Sequence, residues 1–122
     1  RKRVKRRSNK MKIKRKRSKS CRQSDMDVDF HQIGWTNWII APPNYNAYKC
    51  KGVCTFPLAA HMNASNHAVI QCLVNTYYPT MVSRPSCVPI RLMPLSMLYI
   101  QFSGTVVLKN YDNMVVEECG CA

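Results

Sequence analysis

Long apolar runs are missing from this sequence. No stretch approaches the ~20 consecutive apolar residues that a membrane-spanning helix requires, so we expect a protein that is not inserted in a membrane. The 122 residues suit a single domain, and nothing in them repeats internally, which excludes a repeat architecture. No signal peptide opens the sequence, and we interpret it as the mature piece of a longer precursor.

Catalytic signatures are absent as well. The three histidines, His31, His61 and His67, lie in different predicted elements, and no His-Glu-x-x-His motif or nucleophile elbow occurs. The sequence also has no glycine-rich loop that could cradle a phosphate group. We therefore predict that the protein is not an enzyme, has no metal site and needs no cofactor.

Acidic residues are lacking from residues 1–20, which hold 13 of the 19 Lys and Arg residues. A block of like charges with so few apolar residues cannot bury enough surface to order itself, so we predict a disordered arm at 1–20 and a domain at 21–122. That domain has six basic and six acidic residues, so it presents no basic face for nucleic acid.

Thirteen cations on a flexible segment attract a polyanion through counterion release. We expect the arm to bind heparin and heparan sulfate. The predicted binding residues are Arg1, Lys2, Arg3, Lys5, Arg6, Arg7, Lys10, Lys12, Lys14, Arg15, Lys16, Arg17 and Lys19.

The seven cysteines are spaced as in disulfide-bonded proteins. The spacings Cys50-x3-Cys54 and Cys119-x-Cys121 differ from the paired C-x2-C of zinc sites. Bridging Cys50 to Cys119 and Cys54 to Cys121 would close an eight-residue ring, and Gly52 would leave room for a third bridge to pass through it. Six cysteines allow 15 connectivities and the seventh adds more, so the residues alone leave the pairing open.

Two features indicate a secreted, extracellular protein. Disulfides persist in oxidising compartments, and the sequon Asn63-Ala64-Ser65 is an N-glycosylation acceptor that only a secretory protein can use.

The pattern before Cys50 predicts a first β hairpin. Residues 26–30 alternate with period two, residues 35–41 continue as a strand, and residues 42–46 form a turn. Trp35 and Trp38 would face opposite sides of such a strand. Two interpretations remain open, a bend that brings both rings inward or a tryptophan exposed at an interface.

The second half of the sequence predicts one helix and a second hairpin. Apolar residues at helical spacing indicate a helix from residue 66 to about 78, capped by Ser65 or Asn66. Residues 88–102 and 105–118 form two long strands around a tight turn at Ser103-Gly104.

Four motifs of this chain resemble those of one family. They are Cys50-Lys51-Gly52-Val53-Cys54, Cys119-Gly120-Cys121, Asn66-His67-Ala68 and Pro94-Leu95-Ser96-Met97-Leu98-Tyr99. From Cys21 to Ala122 the sequence resembles the mature signalling domain of the transforming growth factor-β superfamily, with the bone morphogenetic protein and nodal branches most similar. The resemblance implies a small, disulfide-rich, mainly β fold, that of a dimeric cystine-knot growth factor. Each chain would have two antiparallel β fingers and one wrist α-helix. It also implies the bridges Cys21–Cys87, Cys50–Cys119 and Cys54–Cys121.

The resemblance further implies a secreted growth factor or morphogen that clusters type I and type II serine/threonine kinase receptors and triggers SMAD-type signalling. Each receptor type would bind its own surface. The type I surface would use Trp35, Trp38, Phe56, Pro57, Leu58, Ala59, His61, Met62 and Asn66. The type II surface would use Ala41, Pro42, Ser96, Met97, Leu98 and Leu108, as apolar side chains on the outward faces of strands.

A second chain is the expected partner, in a homodimer or heterodimer, because the fold offers the helix no layer of its own chain to pack against. The predicted interface residues are Val69, Ile70, Cys72, Leu73, Val74 and Tyr77. Ser86 stands where the family usually has its interchain cysteine, and Cys72 lies within the helix. Cys72 is therefore either a small buried thiol or a relocated interchain bridge.

The tip of the second hairpin, residues 101–105, departs from the more acidic turn of the family. It could change which extracellular antagonist or co-receptor binds. The alternative interpretation of the whole chain is an extracellular cystine-knot antagonist or a heparan-sulfate-binding matrix protein, and a nuclear basic protein is a third.

Overall fold

The structure, a computed structural model, describes residues 19–122. The predicted arm and its heparin-binding cations therefore lie outside the described residues, except for Lys19 and Ser20. The described chain divides into two units. The knot unit comprises residues 19–22, 50–88 and 119–122, and the finger unit comprises residues 23–49 and 89–118.

Nine regular elements make up the described chain. The strands are β1 (Arg22–Ser24), β2 (Asp27–Asp29), β3 (Ile39–Ala41), β4 (Asn44–Asn46), β5 (Lys49–Lys51), β6 (Cys87–Ile100) and β7 (Val106–Cys121), and the helices are a 3-10 turn (Ala60–Met62) and α1 (Asn66–Tyr77). None of the helices in this described part is long and apolar enough to cross a membrane.

In the finger unit, β2 pairs antiparallel with β4, and β3, β6 and β7 form a three-stranded sheet with β6 in the centre. The sheet places Ile39 opposite Tyr99 and Ala41 opposite Leu98. The turn between β6 and β7 contains Gly104 at φ 83°, a conformation that glycine adopts without steric cost.

The core of the finger unit is small. Phe30, Ile39 and Met97 are buried together, and the side chains packed against them are Val28, Trp38, Tyr45, Leu95, Tyr111 and Met114. The three side chains of this cluster stabilise a unit of this size only modestly, at about 1.5 to 3 kcal/mol each. In a domain with so small a core, the disulfides of the chain are important for stability.

The first hairpin differs from its prediction. Residues 30–38 are turns rather than a strand, because the Asp29 carboxylate accepts a hydrogen bond from the His31 amide at 2.9 Å and the Trp35 amide donates to the Phe30 carbonyl at 2.9 Å. The predicted turn at 42–46 is also wrong in part, since residues 44–46 form β4.

Helix α1 in the knot unit begins as the sequence predicts. The Ser65 hydroxyl accepts a hydrogen bond from the Ala68 amide at 3.1 Å, which caps the helix, and the last helical residue is Tyr77. Ala68 and Cys72 are its buried residues. The expectation that the helix has nothing in its own chain to pack against is therefore wrong for this face.

Candidate functional site

Three disulfides form the centre of the knot unit. They join Cys21 to Cys87, Cys50 to Cys119 and Cys54 to Cys121, which is the pairing that the resemblance implies. The sulfur atoms of Cys21, Cys54 and Cys121 lie within 4.8 Å of one another and are buried. All three are oxidised, so this cluster is the centre of a disulfide knot and its sulfurs are not available as metal-binding thiolates.

The pre-helix loop, residues 56–66, joins the knot to α1. Its predicted receptor residues Phe56, Pro57, Ala59, His61 and Asn66 are exposed, and Leu58 is half-buried. The loop is held at two points of the knot unit. The His61 Nε2 and Ser20 Oγ atoms are 3.1 Å apart, and the Asn63 Nδ2 donates to the Cys119 carbonyl at 3.2 Å. The loop is therefore a fixed surface rather than an untethered connection.

One predicted member of this loop does not belong to its surface. Met62 is only 5% exposed, because the short 3-10 turn directs its side chain inward while His61 remains outside. The expectation that Met62 offers contact area to a receptor is therefore wrong in this conformation.

Aromatic rings follow one another across the finger unit. The ring centroids of Trp35 and Trp38 are 5.2 Å apart, those of Trp38 and Tyr99 6.2 Å, and those of Tyr99 and Tyr111 5.9 Å. The turn at residues 30–38 brings the two tryptophan rings together but does not turn both inward, so the structure agrees with the second interpretation, an exposed tryptophan. Trp35 is exposed and Trp38 half-buried, so the row provides a rigid apolar surface.

Sequence reasoning missed Tyr99 and Tyr111 as candidate contact residues. The strand register that sets Tyr99 opposite Ile39 could have indicated Tyr99, but the periodicity of the sequence does not show which strands pair. Beside the row lies a groove of about 920 Å³, lined by Asn37, Trp38, Tyr99, Ile100, Gln101, Phe102 and Ser103. Phe102 is fully exposed at the tip of the hairpin.

Most of the predicted type II residues belong to the three-stranded sheet, and Pro42 directly follows β3. Ala41 faces Leu98 across β3 and β6, Ser96 donates a hydrogen bond to the Asn110 side chain, and Leu108 is 72% exposed. Met97 is 2% exposed and packs against Phe30 and Ile39. Its predicted place on the surface is wrong, because neighbouring residues of a strand face opposite sides and Met97 takes the core side.

The outer face of α1 remains uncovered by its own chain. Val69, Ile70 and Tyr77 are exposed, and Leu73 and Val74 are half-buried. An apolar helix face of this kind is typical of an interface.

Cys72 is a free, buried thiol on the inner face of α1. It is 1% exposed, and its Sγ donates to the Cys54 carbonyl at 3.6 Å. Burial raises the pKa of this thiol, and the charge of Arg84 opposes the shift. The structure thus agrees with the first of the two alternatives, a small buried thiol.

Ser86 marks the place of the missing interchain cysteine. It is exposed, its amide donates to the Ala122 carbonyl at 2.9 Å, and its carbonyl accepts from the Ala122 amide at 3.0 Å. The backbone on both sides of position 86 is therefore held in place by the C-terminal residue.

A knot of three disulfides, a pair of long antiparallel strands and one capped helix define the class of cystine-knot growth-factor domains. The family model described as transforming growth factor beta like domain matches residues 20–121, and the chain belongs to that family. This membership confirms the resemblance inferred from the motifs, and with it a growth-factor domain rather than an enzyme.

Relatives of the bone morphogenetic protein branch are similar over most of the chain. Bone morphogenetic protein 4 of Mus musculus is 50% identical over 107 residues, which are 88% of this chain and 26% of the relative. Protein decapentaplegic of Drosophila pseudoobscura pseudoobscura is 52% identical over 102 residues, which are 84% of this chain and 17% of the relative. Growth/differentiation factor 7 of Mus musculus is 50% identical over 101 residues, which are 83% of this chain and 22% of the relative. The chain thus spans about a quarter or less of the length of these relatives.

Proposed function

We propose that this protein is a secreted, dimeric growth factor that binds and clusters type I and type II serine/threonine kinase receptors. The observation that carries the proposal is the presence of separate apolar surfaces on a small domain of this family, namely the aromatic row, the sheet around Leu108 and the outer face of α1. A soluble monomer ordinarily keeps such surfaces polar.

The type I receptor surface combines elements of two chains. Trp35 and Trp38 of one chain face the pre-helix loop of the other, where Pro57 and Leu58 form a projecting apolar knob. The exposure of Trp35 and Pro57 and the fixed attachment of the loop at Asn63 support this assignment. A preorganised surface loses little conformational entropy when it binds, which favours affinity.

The type II receptor surface is the outward face of the finger sheet. It uses Ala41, Pro42, Ser96, Leu98 and Leu108, without Met97. Leu108 supports the assignment most strongly, because a leucine that is 72% exposed on a strand has no role in the packing of its own chain.

A second copy of the chain, or a related chain, covers the outer face of α1. Burial of Val69, Ile70, Leu73, Val74 and Tyr77 contributes about 1.5 to 3 kcal/mol per large apolar side chain, which can hold a dimer after the entropy of association is subtracted. The dimer is non-covalent, because Ser86 lacks a thiol and Cys72 is buried in its own chain. Subunits can then exchange, which permits heterodimers.

Receptor assembly takes the place of catalysis in this mechanism. A two-fold dimer offers each surface twice, so receptors of both kinds are held side by side on one membrane, and bivalency raises the effective affinity without new contacts. The juxtaposed kinases then start SMAD-type signalling.

Further extracellular partners modulate this activity. The basic arm binds heparan sulfate and limits diffusion. The exposed Phe102 at the fingertip is a contact residue for an antagonist or co-receptor. Asn63 is exposed and available as an N-glycosylation site.

Binding to immobilised type I and type II receptor ectodomains tests the proposal. We expect Trp35→Ala to weaken type I binding and leave type II binding unchanged, and Leu108→Ala to do the reverse. Each variant is the control for the other. An antagonist or matrix protein would bind neither ectodomain, so the absence of both interactions in the parent protein would contradict the proposal.

A further inference from the structure

The two units carry opposite kinds of charge. All six acidic residues of the chain, Asp25, Asp27, Asp29, Asp112, Glu117 and Glu118, lie in the finger unit. The described part of the knot unit contains Lys19, Arg22, Lys51 and Arg84 and no Asp or Glu side chain. Residues 21–122 have equal numbers of acidic and basic residues, but the knot unit by itself is basic even without the arm. A basic surface of this kind attracts polyanions.

Three of these cations surround the point where the arm joins the knot. The carbonyl of Lys19 accepts a hydrogen bond from the Val53 amide at 2.9 Å, and the Cys21 amide donates to the Val53 carbonyl at 3.1 Å. Arg22 Nη1 lies 3.4 Å from the Ser20 carbonyl. Lys51 is exposed and adjoins Gly52, which is packed directly on Ser20. The backbone that carries these cations is fixed by hydrogen bonds.

The same point adjoins the pre-helix loop. Ser20 Oγ and His61 Nε2 are 3.1 Å apart, and the His61 ring is otherwise exposed. His61 therefore contacts the residue next to Lys19, and that residue packs on Gly52, the neighbour of Lys51. A receptor that covers His61 would come close to both lysines.

We infer that Lys19, Arg22 and Lys51 form a fixed basic surface that binds sulfated polysaccharide, and that polysaccharide bound there excludes the type I receptor from the pre-helix loop. The inference rests on the proposed function of that loop. It makes the polysaccharide a negative regulator of one receptor surface and leaves the type II surface of the finger unit free.

The first test concerns the fixed surface and uses the full chain with heparin as the probe. Each cation that contacts the polyanion adds roughly one unit to the slope of log affinity against log salt. We expect Lys51→Gln to lower that slope by about one unit, and Lys109→Gln, which removes an exposed lysine from the finger unit, to leave it unchanged. Equal slopes for Lys51→Gln and the parent would overturn the fixed surface. Unsulfated hyaluronan serves as the control polymer, and equal binding of it would show that sulfate is not what is recognised.

The second test concerns exclusion. Heparin oligosaccharide at about ten times its dissociation constant should weaken type I ectodomain binding by about tenfold, because the two ligands compete, and should leave type II binding unchanged. By linkage, the receptor at about ten times its own dissociation constant should weaken heparin binding to the same extent. The double variant Arg22→Gln with Lys51→Gln should reduce this antagonism. Type I binding that is intact and indifferent to heparin would refute the inference while the proposed function stands, whereas absence of type I binding without heparin would refute the proposed function itself.

Discussion

Gly52 is packed directly against the backbone of Ser20. A Cβ atom on Gly52 would overlap the Ser20 carbonyl group and would stand 2.8 Å from the amide nitrogen of Cys21. Gly52 also has φ 120°, which side chains rarely tolerate. The sequence suggested that this glycine makes room for a threading disulfide. The structure shows that the close neighbour is the main chain leading into that disulfide at Cys21.

The first prediction concerns this contact. Gly52→Ala should prevent formation of the native knot, since backbone atoms cannot move aside as the end of a flexible side chain can. Gly104→Ala is the matched control, because Gly104 has φ 83° with nothing within 4 Å of the added atom. The control should cost only about 1 to 2 kcal/mol of stability. Disulfide mapping of both secreted variants checks this, and a native pattern in Gly52→Ala would contradict the packing described.

The knot bridges are predicted to be indispensable for folding. The bridge Cys54–Cys121 spans 67 residues, so the chain-entropy model gives it about 4 kcal/mol, a large part of the stability of a small domain. The double variant Cys54→Ser with Cys121→Ser should no longer be secreted as a folded species. Cys72→Ser is the control and should be secreted normally. Recovery of receptor-competent dimer from the double variant would contradict this prediction.

Substitution of Met97 should mainly lower stability, whereas substitution of Leu108 should mainly weaken receptor binding. Met97→Ala removes a side chain from the core of the finger unit and should lower the free energy of unfolding by about 2 to 5 kcal/mol. Leu108→Ala should change that free energy by less than about 0.5 kcal/mol and should weaken type II receptor binding instead. Denaturant titration together with receptor binding measures both. Equal destabilisation by the two substitutions would show that Leu108 is a packing residue.

The dimer is predicted to be non-covalent. Denaturing electrophoresis without reductant should show monomer while native sizing shows dimer, and Cys72→Ser should behave like the parent. Ser86→Cys should create an interchain bridge, because position 86 is exposed and matches the usual interchain cysteine of the family. A bridge requires the two Cα atoms to lie within about 7 Å of each other. Ser86→Cys chains that remain monomeric under denaturing conditions would place this position away from the two-fold axis.

Deleting residues 1–18 should lower the salt concentration at which the protein elutes from heparin, because most of its cations are removed. Some retention should survive through Lys19, Arg22 and Lys51. Type II receptor affinity should be unchanged by the deletion. Heparin retention equal to that of the full chain would exclude the arm as a binding segment.

Local patterns in the sequence predicted the elements that depend on local chemistry. The cap at Ser65, the helix end before Pro79 and the hairpin turn at Gly104 follow from residue types at fixed positions, and the structure has all three. The turn at residues 30–38 was not predicted, although Asp29 and Gly34 are turn-forming residues, because the apolar run at residues 35–41 suggested a continuation of the strand at 26–30.

Features that depend on which side chain faces which layer were harder to predict. Periodicity placed Ser96, Met97 and Leu98 on a strand, but motif resemblance then treated all three as surface, whereas alternation buries the middle one. The row formed by Trp38, Tyr99 and Tyr111 joins three separate elements, so it depends on strand register that no local pattern contains. The basic surface of the knot unit could not be predicted, because only the fold shows that all six acidic residues lie in the finger unit.

Native mass measurement of the protein mixed with type I and type II receptor ectodomains tests the central claim most directly. We predict a complex that contains two ligand chains, two type I and two type II ectodomains, and that dissociates to single chains in denaturant without reductant. A complex with only one ligand chain, or one that contains neither receptor, would contradict it.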